Sequence, residues 1–246
     1  MKISALAAAF AIAAGLFQPS TASARRNAPH DEDPIIKDRK FYSANAFDGI
    51  MLSTALMQRP FDKGTTIATP RFSMLSLGIN LHYDFSQGFG IYSGIGIKNI
   101  GFIEKIDMPA DYTVKHRIYS VGLPLGIKLG NLKERNFLFL GGGADFALNY
   151  RVKGFYKRGD KDKLNEWFSD RTPLVHPYVF AGYSFDPGIT IKLQYYPRNF
   201  LNTDFSLPSF SGLFTPYAGY KVNLILLSLG FDIHYNTLPI ETPKRH

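Results

Sequence analysis

The fold is decided by residues 75–85, which read LSLGINLHYDF. Every odd position carries a leucine, isoleucine, tyrosine or phenylalanine. The even positions are small or polar: Ser76, Gly78, Asn80, His82 and Asp84. Because side chains alternate between the two faces of a β-strand, a period of two puts the apolar set on one face and the polar set on the other. The sequence therefore predicts a strand at 73–85 with two chemically different faces.

The same alternation recurs along most of the chain. Short turns and long polar links join the segments in alternation, which is the layout of an up-and-down barrel with short turns on one rim and loops on the other. An even strand count puts both chain ends on the short-turn rim. The sequence thus predicts an all-β, eight-stranded antiparallel up-and-down transmembrane β-barrel. Its predicted strands are 48–57, 73–85, 88–103, 112–130, 136–153, 174–185, 189–198 and 217–235.

The face that points outward distinguishes a membrane barrel from a soluble one. The less apolar face is rich in glycine, serine and alanine, which suits a narrow lumen better than a surface in water. Aromatic residues of the apolar face gather near the short-turn rim, where an interfacial girdle is expected. They are Tyr83, Phe85, Phe89, Tyr183, Phe185, Phe231 and Tyr235, and Tyr119, Tyr150 and Tyr195 lie nearer the other rim. The alternative is a soluble periplasmic barrel of the lipocalin kind, with its apolar face inward.

The N-terminus predicts export. Lys2 precedes an apolar, alanine-rich run, and Ala22-Ser23-Ala24 ends it as a cleavage site would. The predicted organisation is a signal peptide at 1–24, a periplasmic segment at 25–47, the outer-membrane barrel at 48–235 and a tail at 236–246. The chain has no cysteine, which excludes disulfides and thiolate metal sites, and its net charge is +8. No motif for nucleic-acid recognition accompanies that charge.

Four segments together resemble the small porin-like outer-membrane β-barrel proteins. The Leu-Pro-Leu strand, followed by a glycine-rich strand, is the most telling part. The segments are Gly94–Lys98, Val121–Lys128, Leu138–Gly143 and Leu227–Tyr235. The resemblance implies insertion by the barrel-assembly machinery, which reads a terminal strand ending in an aromatic residue. Here that strand ends at Tyr235, and eleven further residues follow it.

A polar cluster is predicted inside the barrel, near the short-turn rim. Its members are His82, Asp84, Lys128, Lys192, Asp232 and His234. Two histidines and two aspartates would suit a zinc or copper site or a proton relay. The favoured interpretation is a plug of paired charges that satisfies buried groups in a narrow lumen. No cofactor and no metal are predicted.

The loops at 154–173 and 199–216 carry the predicted interaction surface. Aromatic and basic residues in the link at 154–173 suit contact with a partner or with lipopolysaccharide. The candidates are Phe155, Tyr156, Lys161, Lys163 and Trp167. The predicted role is structural, interactive or that of a narrow porin, with outer-membrane lipid and lipopolysaccharide as partners, and the protein is not predicted to be an enzyme. The enzymatic alternative, a lipid A-modifying barrel, would draw on His116, Glu104, Asp107, Ser206, Ser209 and Ser211, which no spacing motif connects.

Overall fold

The computed structural model describes residues 41–60, 64–74, 76–106, 112–156, 161–210 and 212–234. The predicted signal peptide at 1–24 and the tail at 236–246 lie outside these residues. The described part of the chain contains no helix long and apolar enough to cross a bilayer. Its strands are β1 (Phe41–Gln58), β2 (Thr66–Ile67), β3 (Arg71–Ser73), β4 (Ser76–Asp84), β5 (Phe89–Ile106), β6 (Tyr112–Asn131), β7 (Asn136–Tyr156), β8 (Lys161–Trp167), β9 (Val175–Phe185), β10 (Ile189–Tyr195), β11 (Leu207–Ser209), β12 (Gly212–Phe214) and β13 (Lys221–His234).

Eight of these strands close into a barrel. Their order around the ring is β1, β4, β5, β6, β7, β9, β10 and β13. The last strand pairs with the first from Ala44 opposite His234 to Gln58 opposite Lys221, so the ring has no open edge. All the ring pairs are antiparallel. The predicted eight-stranded antiparallel barrel is confirmed.

The first strand is longer than the sequence pattern suggests. It begins at Phe41, within the segment predicted as a periplasmic linker at 25–47, rather than at 48. A β-bulge between Asp48 and Ile50 shifts the register against β13, so the inward face passes from Asp48 to Met51. This extra residue reverses the parity of the alternation in mid-strand, which is why a fixed period of two missed the first half of the strand.

The outer face of the barrel carries a belt of apolar side chains, here called the outer belt. On β6 it runs from Tyr119 to Leu129, and at about 3.3 Å per residue and a tilt of about 45° this length covers about 23 Å. Aromatic side chains border it at the short-turn rim, where Tyr83 contacts Phe85 at 4.9 Å between ring centroids. An apolar outer face around a charged interior is the arrangement of a transmembrane barrel and the reverse of a lipocalin. The outer belt includes Leu77, Leu81, Ile95, Ile97, Leu123, Leu125, Ile127, Leu129, Leu138, Val179, Ile191, Leu193, Leu227 and Leu229, all exposed.

Beyond the belt, on the side of the long links, the pattern inverts. On β6 the inward residues Val114, His116 and Ile118 are buried, whereas Lys115 and Arg117 alternate with them on the outside. Strands β5, β6 and β7 continue well past the membrane, and β8 folds back onto β7 from Phe155 opposite Lys161 to Asn149 opposite Trp167. Much of the link predicted as a loop at 154–173 is therefore sheet. The sequence pattern did not reveal these strand extensions. Beyond the belt the outer face of the sheet is polar, so its residues resemble those of a loop.

The predicted position of Tyr150 on the outer face is wrong, because β7 contains a second bulge. Tyr119 pairs with Asn149 and Ser120 pairs with Ala147, so Leu148 has no partner on β6. The parity of β7 reverses there, and Tyr150 is turned inward with 1% of its surface exposed. The sequence pattern placed Tyr150 on the outer face because it assumed unbroken alternation.

The half of the lumen nearest the long links is filled by an apolar core. Residues 196–202 leave β10 and fold inward, and the backbone N–H of Phe200 donates to the carbonyl of Val222 at 2.8 Å. The ring of Phe200 then lies 5.5 Å from that of Phe102 and 5.6 Å from that of His176. Alternation predicted a lumen of small and polar residues. It missed this core because a loop, rather than a strand, supplies its centre.

Leu125 lies near the middle of the outer belt on β6 and is 64% exposed. Leu125→Lys should lower the free energy of unfolding in lipid vesicles by about 2–4 kcal/mol, because the ammonium group must enter the hydrocarbon. Urea titration, read by the gel mobility that changes on boiling, measures this loss.

Ser209→Lys is the matched control, since Ser209 is exposed on β11, in the long link between β10 and β13. It should change the free energy of unfolding by less than about 0.5 kcal/mol. Equal losses for the two variants would contradict the position assigned to the outer belt.

Candidate functional site

The half of the lumen nearest the short turns contains three buried ion pairs. Lys128 Nζ contacts Asp84 Oδ1, Lys192 Nζ lies 3.1 Å from Asp48 Oδ2, and Lys98 Nζ lies 2.9 Å from Asp145 Oδ1. The side chains of Lys128 and Asp145 are completely buried. Each lysine meets one aspartate, so the charges of these six described side chains cancel.

Further polar contacts surround each pair. Lys128 donates to the hydroxyl of Tyr42 at 2.8 Å, and Ser76 donates to Asp48 at 3.0 Å. Tyr196 donates to Asp145 at 2.7 Å, and Lys98 Nζ lies 4.1 Å from the centroid of the Tyr178 ring. Such additional contacts offset the cost of taking both charges out of water, which the ion pair alone would not do.

Each ion pair spans an intervening strand, across a glycine on that strand. Asp84 on β4 reaches Lys128 on β6 over Gly90, which is the register partner of both. A Cβ on Gly90 would collide with Asp84 Oδ1 and would lie 2.9 Å from Lys128 Cε. Gly122 on β6 leaves the same space for the pair between Lys98 and Asp145.

The third pair follows the same rule at the seam of the barrel. Asp48 on β1 reaches Lys192 on β10 across Gly230 of β13, and a Cβ there would lie 2.8 Å from Asp48 Oδ1. These glycines therefore provide the room in which oppositely charged side chains two strands apart can meet. The backbone hydrogen bonds of the sheet would form with other residues at these positions, whereas the ion pairs need the space that glycine leaves.

The structure divides the predicted polar cluster instead of gathering it. Asp84 and Lys128 form one pair, and Lys192 belongs to another pair with Asp48. His82 is buried between two aromatic rings, 4.9 Å from Tyr42 and 5.4 Å from Tyr92 between ring centroids.

For Asp232 and His234, the last two members of the predicted cluster, the structure describes the backbone pairing alone. Asp232 pairs with Ala46 and His234 with Ala44 on the neighbouring strand. Their side chains lie outside the described residues.

Sequence reasoning missed three of the six partners. Lys98 and Asp145 both fall on the inward face by parity, which was a usable signal. Their meeting depended on the stagger between strands, because Lys98 pairs with Ser120 whereas Asp145 pairs with Gly122. Asp48 lies at the bulge, where parity gives no information.

The lumen leaves little free space. A cavity of about 70 Å³ remains between the ion pairs and the aromatic side chains, which is room for about five water molecules. Its lining includes Lys98, Lys128, Lys192, Asp48, His82 and Tyr178. Above it, Phe102, Tyr150 and Phe200 are completely or almost completely buried in the apolar core.

Neither a metal centre nor a hydrolytic site is assembled by the described residues. They contain no group of three or more side chains suited to hold a metal ion. His116 donates to or accepts from the Tyr150 hydroxyl at 2.8 Å and lies 3.9 Å from Glu104. It is 5% exposed, and no serine of the described chain hydrogen-bonds to it. The lipid A-modifying alternative gains no support from this geometry.

The rim opposite the short turns presents apolar side chains to the outside. Strands β11 and β12 form a hairpin in which Leu207 pairs with Phe214. Phe210 is fully exposed at its tip, and Leu213 is 77% exposed. Trp167 and Phe168 at the end of β8 are 53% and 66% exposed.

The predicted loop candidates lie on the β7–β8 hairpin. Lys163 and Trp167 are exposed, and Phe155 is half-buried beneath Lys115, whose Nζ lies 5.1 Å from its ring centroid. The side chains of Tyr156 and Lys161 lie outside the described residues. The β11–β12 hairpin lies within the other loop predicted to present the interaction surface, at 199–216.

Two proteins of known structure are similar to this chain. Neisserial surface protein A (NspA) is 14% identical with a TM-score of 0.41, over 80% of this chain and 98% of that one. Ail, the attachment invasion locus protein of Yersinia pestis, is 15% identical with a TM-score of 0.35, over 79% of this chain and 100% of that one. No family model matches the chain, and no curated protein matches it. The class of protein, a transmembrane β-barrel, is defined by the closed ring of strands and the outer belt.

The seam ion pair can be tested by a double-mutant cycle. Lys192→Met leaves Asp48 buried without its counter-ion and should lower the free energy of unfolding by about 3–5 kcal/mol. Adding Asp48→Leu removes the unpaired charge and should recover most of that loss. Urea unfolding in detergent micelles gives the four values. A double variant as unstable as the sum of the singles would show that the two side chains act independently.

Gly122 can be tested by adding a side chain. Gly122→Val should prevent Lys98 from meeting Asp145 and lower the free energy of unfolding by more than about 3 kcal/mol, although valine favours strands. Gly142→Val on the outer face of β7 is the control, since its Cβ would meet only the Tyr178 carbonyl, at 3.2 Å. Refolding yield and urea midpoint are the measurements. Similar losses at both positions would contradict the bridging role of Gly122.

Proposed function

We propose that this protein is a bacterial outer-membrane barrel with a sealed lumen, which acts by surface interaction at its outer rim rather than by conducting solutes or by catalysis. The observation that carries this proposal is the filling of the lumen. Three ion pairs occupy one half and an apolar core occupies the other. The cavity among them has a volume of about 70 Å³, which is room for a few waters.

The exposed apolar rim supports an interaction role. Large apolar side chains in water cost free energy unless a partner or a membrane surface covers them. Those of the β11–β12 hairpin lie in the long link between β10 and β13. Those at the end of β8 lie at the edge of the outer belt, since Trp167 pairs with Asn149 and Asn149 pairs with Tyr119. The exposed apolar side chains are Phe210, Leu213, Phe214, Trp167 and Phe168.

The proposed orientation places the short-turn rim in the periplasm. Phe41 at the start of β1 pairs with Tyr83 near the β4–β5 turn, and His234 near the end of β13 pairs with Ala44. Both chain ends therefore leave the barrel at one rim. A signal peptide at 1–24 would deliver the chain there. Outer-membrane lipid, lipopolysaccharide and, during insertion, the barrel-assembly machinery are the partners proposed with this orientation.

Conductance measurement tests the sealed lumen. The full chain in a planar bilayer should show no unitary current steps, because ion-paired side chains and an apolar core occupy the two halves of the lumen. Insertion is checked independently by the gel mobility that changes on boiling. Reproducible unitary steps from inserted protein would contradict the proposed function and restore the narrow-porin alternative.

Protease accessibility on intact cells tests the orientation. A protease site inserted after Phe210 should be cut, since the hairpin is proposed to face outward. A matched site inserted after Lys133, in the turn between β6 and β7, should be cut only after the outer membrane is permeabilised. The opposite pattern would overturn the orientation.

A further inference from the structure

Five basic residues form a ladder on the outer surface, just beyond the outer belt. Lys115 and Arg117 of β6 lie directly opposite Lys153 and Arg151 of β7. Lys153 lies in turn opposite Lys163 of β8. These five residues are here called the basic ladder.

The ladder points away from the lumen. On β6 its members alternate with His116 and Ile118, which are buried inside. On β7 they alternate with Tyr150, which the bulge at Leu148 turns inward. The bulge is therefore what brings Arg151 and Lys153 to the outer surface, next to the basic residues of β6.

The ladder concentrates positive charge. The charges of Arg151, Arg117, Lys163 and Lys115 all act on Lys153, whose side chain is partly exposed. None of the five forms an ion pair with a carboxylate of the described residues. Like charges directly opposite one another destabilise a sheet. The repulsion among these five side chains lowers the stability of the free protein, and a bound anion would relieve it.

The height of the ladder indicates which anion. Arg117 is two residues beyond Tyr119, the last residue of the belt on β6, and Lys115 is four residues beyond it. At about 3.3 Å per residue and a tilt of about 45°, they lie about 5 Å and about 9 Å above the hydrocarbon edge. The head-group layer occupies about 5–8 Å on each side of the hydrocarbon core. Arg117 therefore lies at the level of the lipid head groups, and Lys115 lies at the outer edge of that layer.

We infer that the basic ladder is a binding site for the phosphate groups of an outer-leaflet glycolipid, held against the outside of β6, β7 and β8. This inference rests on the proposed function, since it requires the long-link rim to face the outer leaflet. Lysine and arginine side chains bind phosphate by charge-assisted hydrogen bonds. The acyl chains of the same lipid lie along the outer belt below.

Lipid binding to matched variants tests the inference. The probe is lipid A bearing both phosphates, added to the full chain refolded in zwitterionic detergent, with the dissociation constant measured by native mass spectrometry. Lys115→Gln with Lys153→Gln should weaken binding about 25-fold, from a contribution of ~1 kcal/mol for each basic side chain. Lys133→Gln with Lys221→Gln removes the same charge from the short-turn rim and from β13, on the opposite side of the barrel. This control should change binding less than about twofold.

Two further readouts separate a binding site from a structural one. Lipid A stripped of its phosphates should bind wild type about as weakly as phosphorylated lipid A binds the Lys115/Lys153 variant. Without lipid, that variant should unfold at a higher urea concentration than wild type, because it relieves repulsion. A variant less stable than wild type would indicate a structural role and overturn the inference.

The remaining outcomes are equally decisive. Unchanged binding by the Lys115/Lys153 variant, or equal binding of the two lipids, would overturn the inference while the sealed barrel stands. Binding of a sulfated polysaccharide to the ladder without binding of lipid A would assign it to a different class of ligand. A chain that folds as β-structure in plain buffer, seen by circular dichroism before lipid is added, would instead refute the proposed membrane function.

Discussion

The constraint on which this structure depends is the placement of charge inside a barrel whose outside is apolar. The lysines and aspartates of the three ion pairs lose most of their contact with water, so each is stabilised by a counter-ion two strands away. In each pair the two side chains meet over a glycine on the intervening strand. This arrangement fixes the stagger of neighbouring strands, since a shifted register would separate Asp84 from Lys128 and place Gly90 beneath neither.

The two ends of the barrel have opposite distributions of apolar and charged side chains, although the same strands run through both. Near the short turns, apolar residues face outward and charges face inward. Beyond the belt, β6 and β7 put apolar side chains such as Ile118 inside and basic ones such as Arg117 outside, as a water-soluble sheet would. The change occurs at the bulge on β7. The chain thus combines a membrane-embedded barrel with a protruding sheet that has its own apolar core, centred on Phe200.

The sequence alone was sufficient for the strand count, the antiparallel closure and the girdle near the short turns, because a period of two is a direct consequence of strand geometry. It failed where one extra residue reverses that period. The bulge near Asp48 hid the start of β1, and the bulge at Leu148 misplaced Tyr150. It also failed where contacts depend on stagger, as for Lys98 with Asp145, or on a loop that folds inward, as for Phe200. Odd or even position identifies the face of the sheet on which a side chain lies. The partner of that side chain also depends on how neighbouring strands are staggered.

The ion pair at the seam has a consequence for how the barrel is made. Asp48 belongs to the first strand, Lys192 to the seventh strand of the ring, and Gly230 to the last strand, which lies between them. The hydrogen bond from Ser76 to Asp48 joins neighbouring strands of the N-terminal half, whereas the counter-ion of Asp48 comes into reach only when β13 pairs with both β1 and β10. The ion pair between Asp48 and Lys192 therefore forms only as the ring closes, so the stabilisation that it contributes belongs to the complete barrel and not to a partly assembled one.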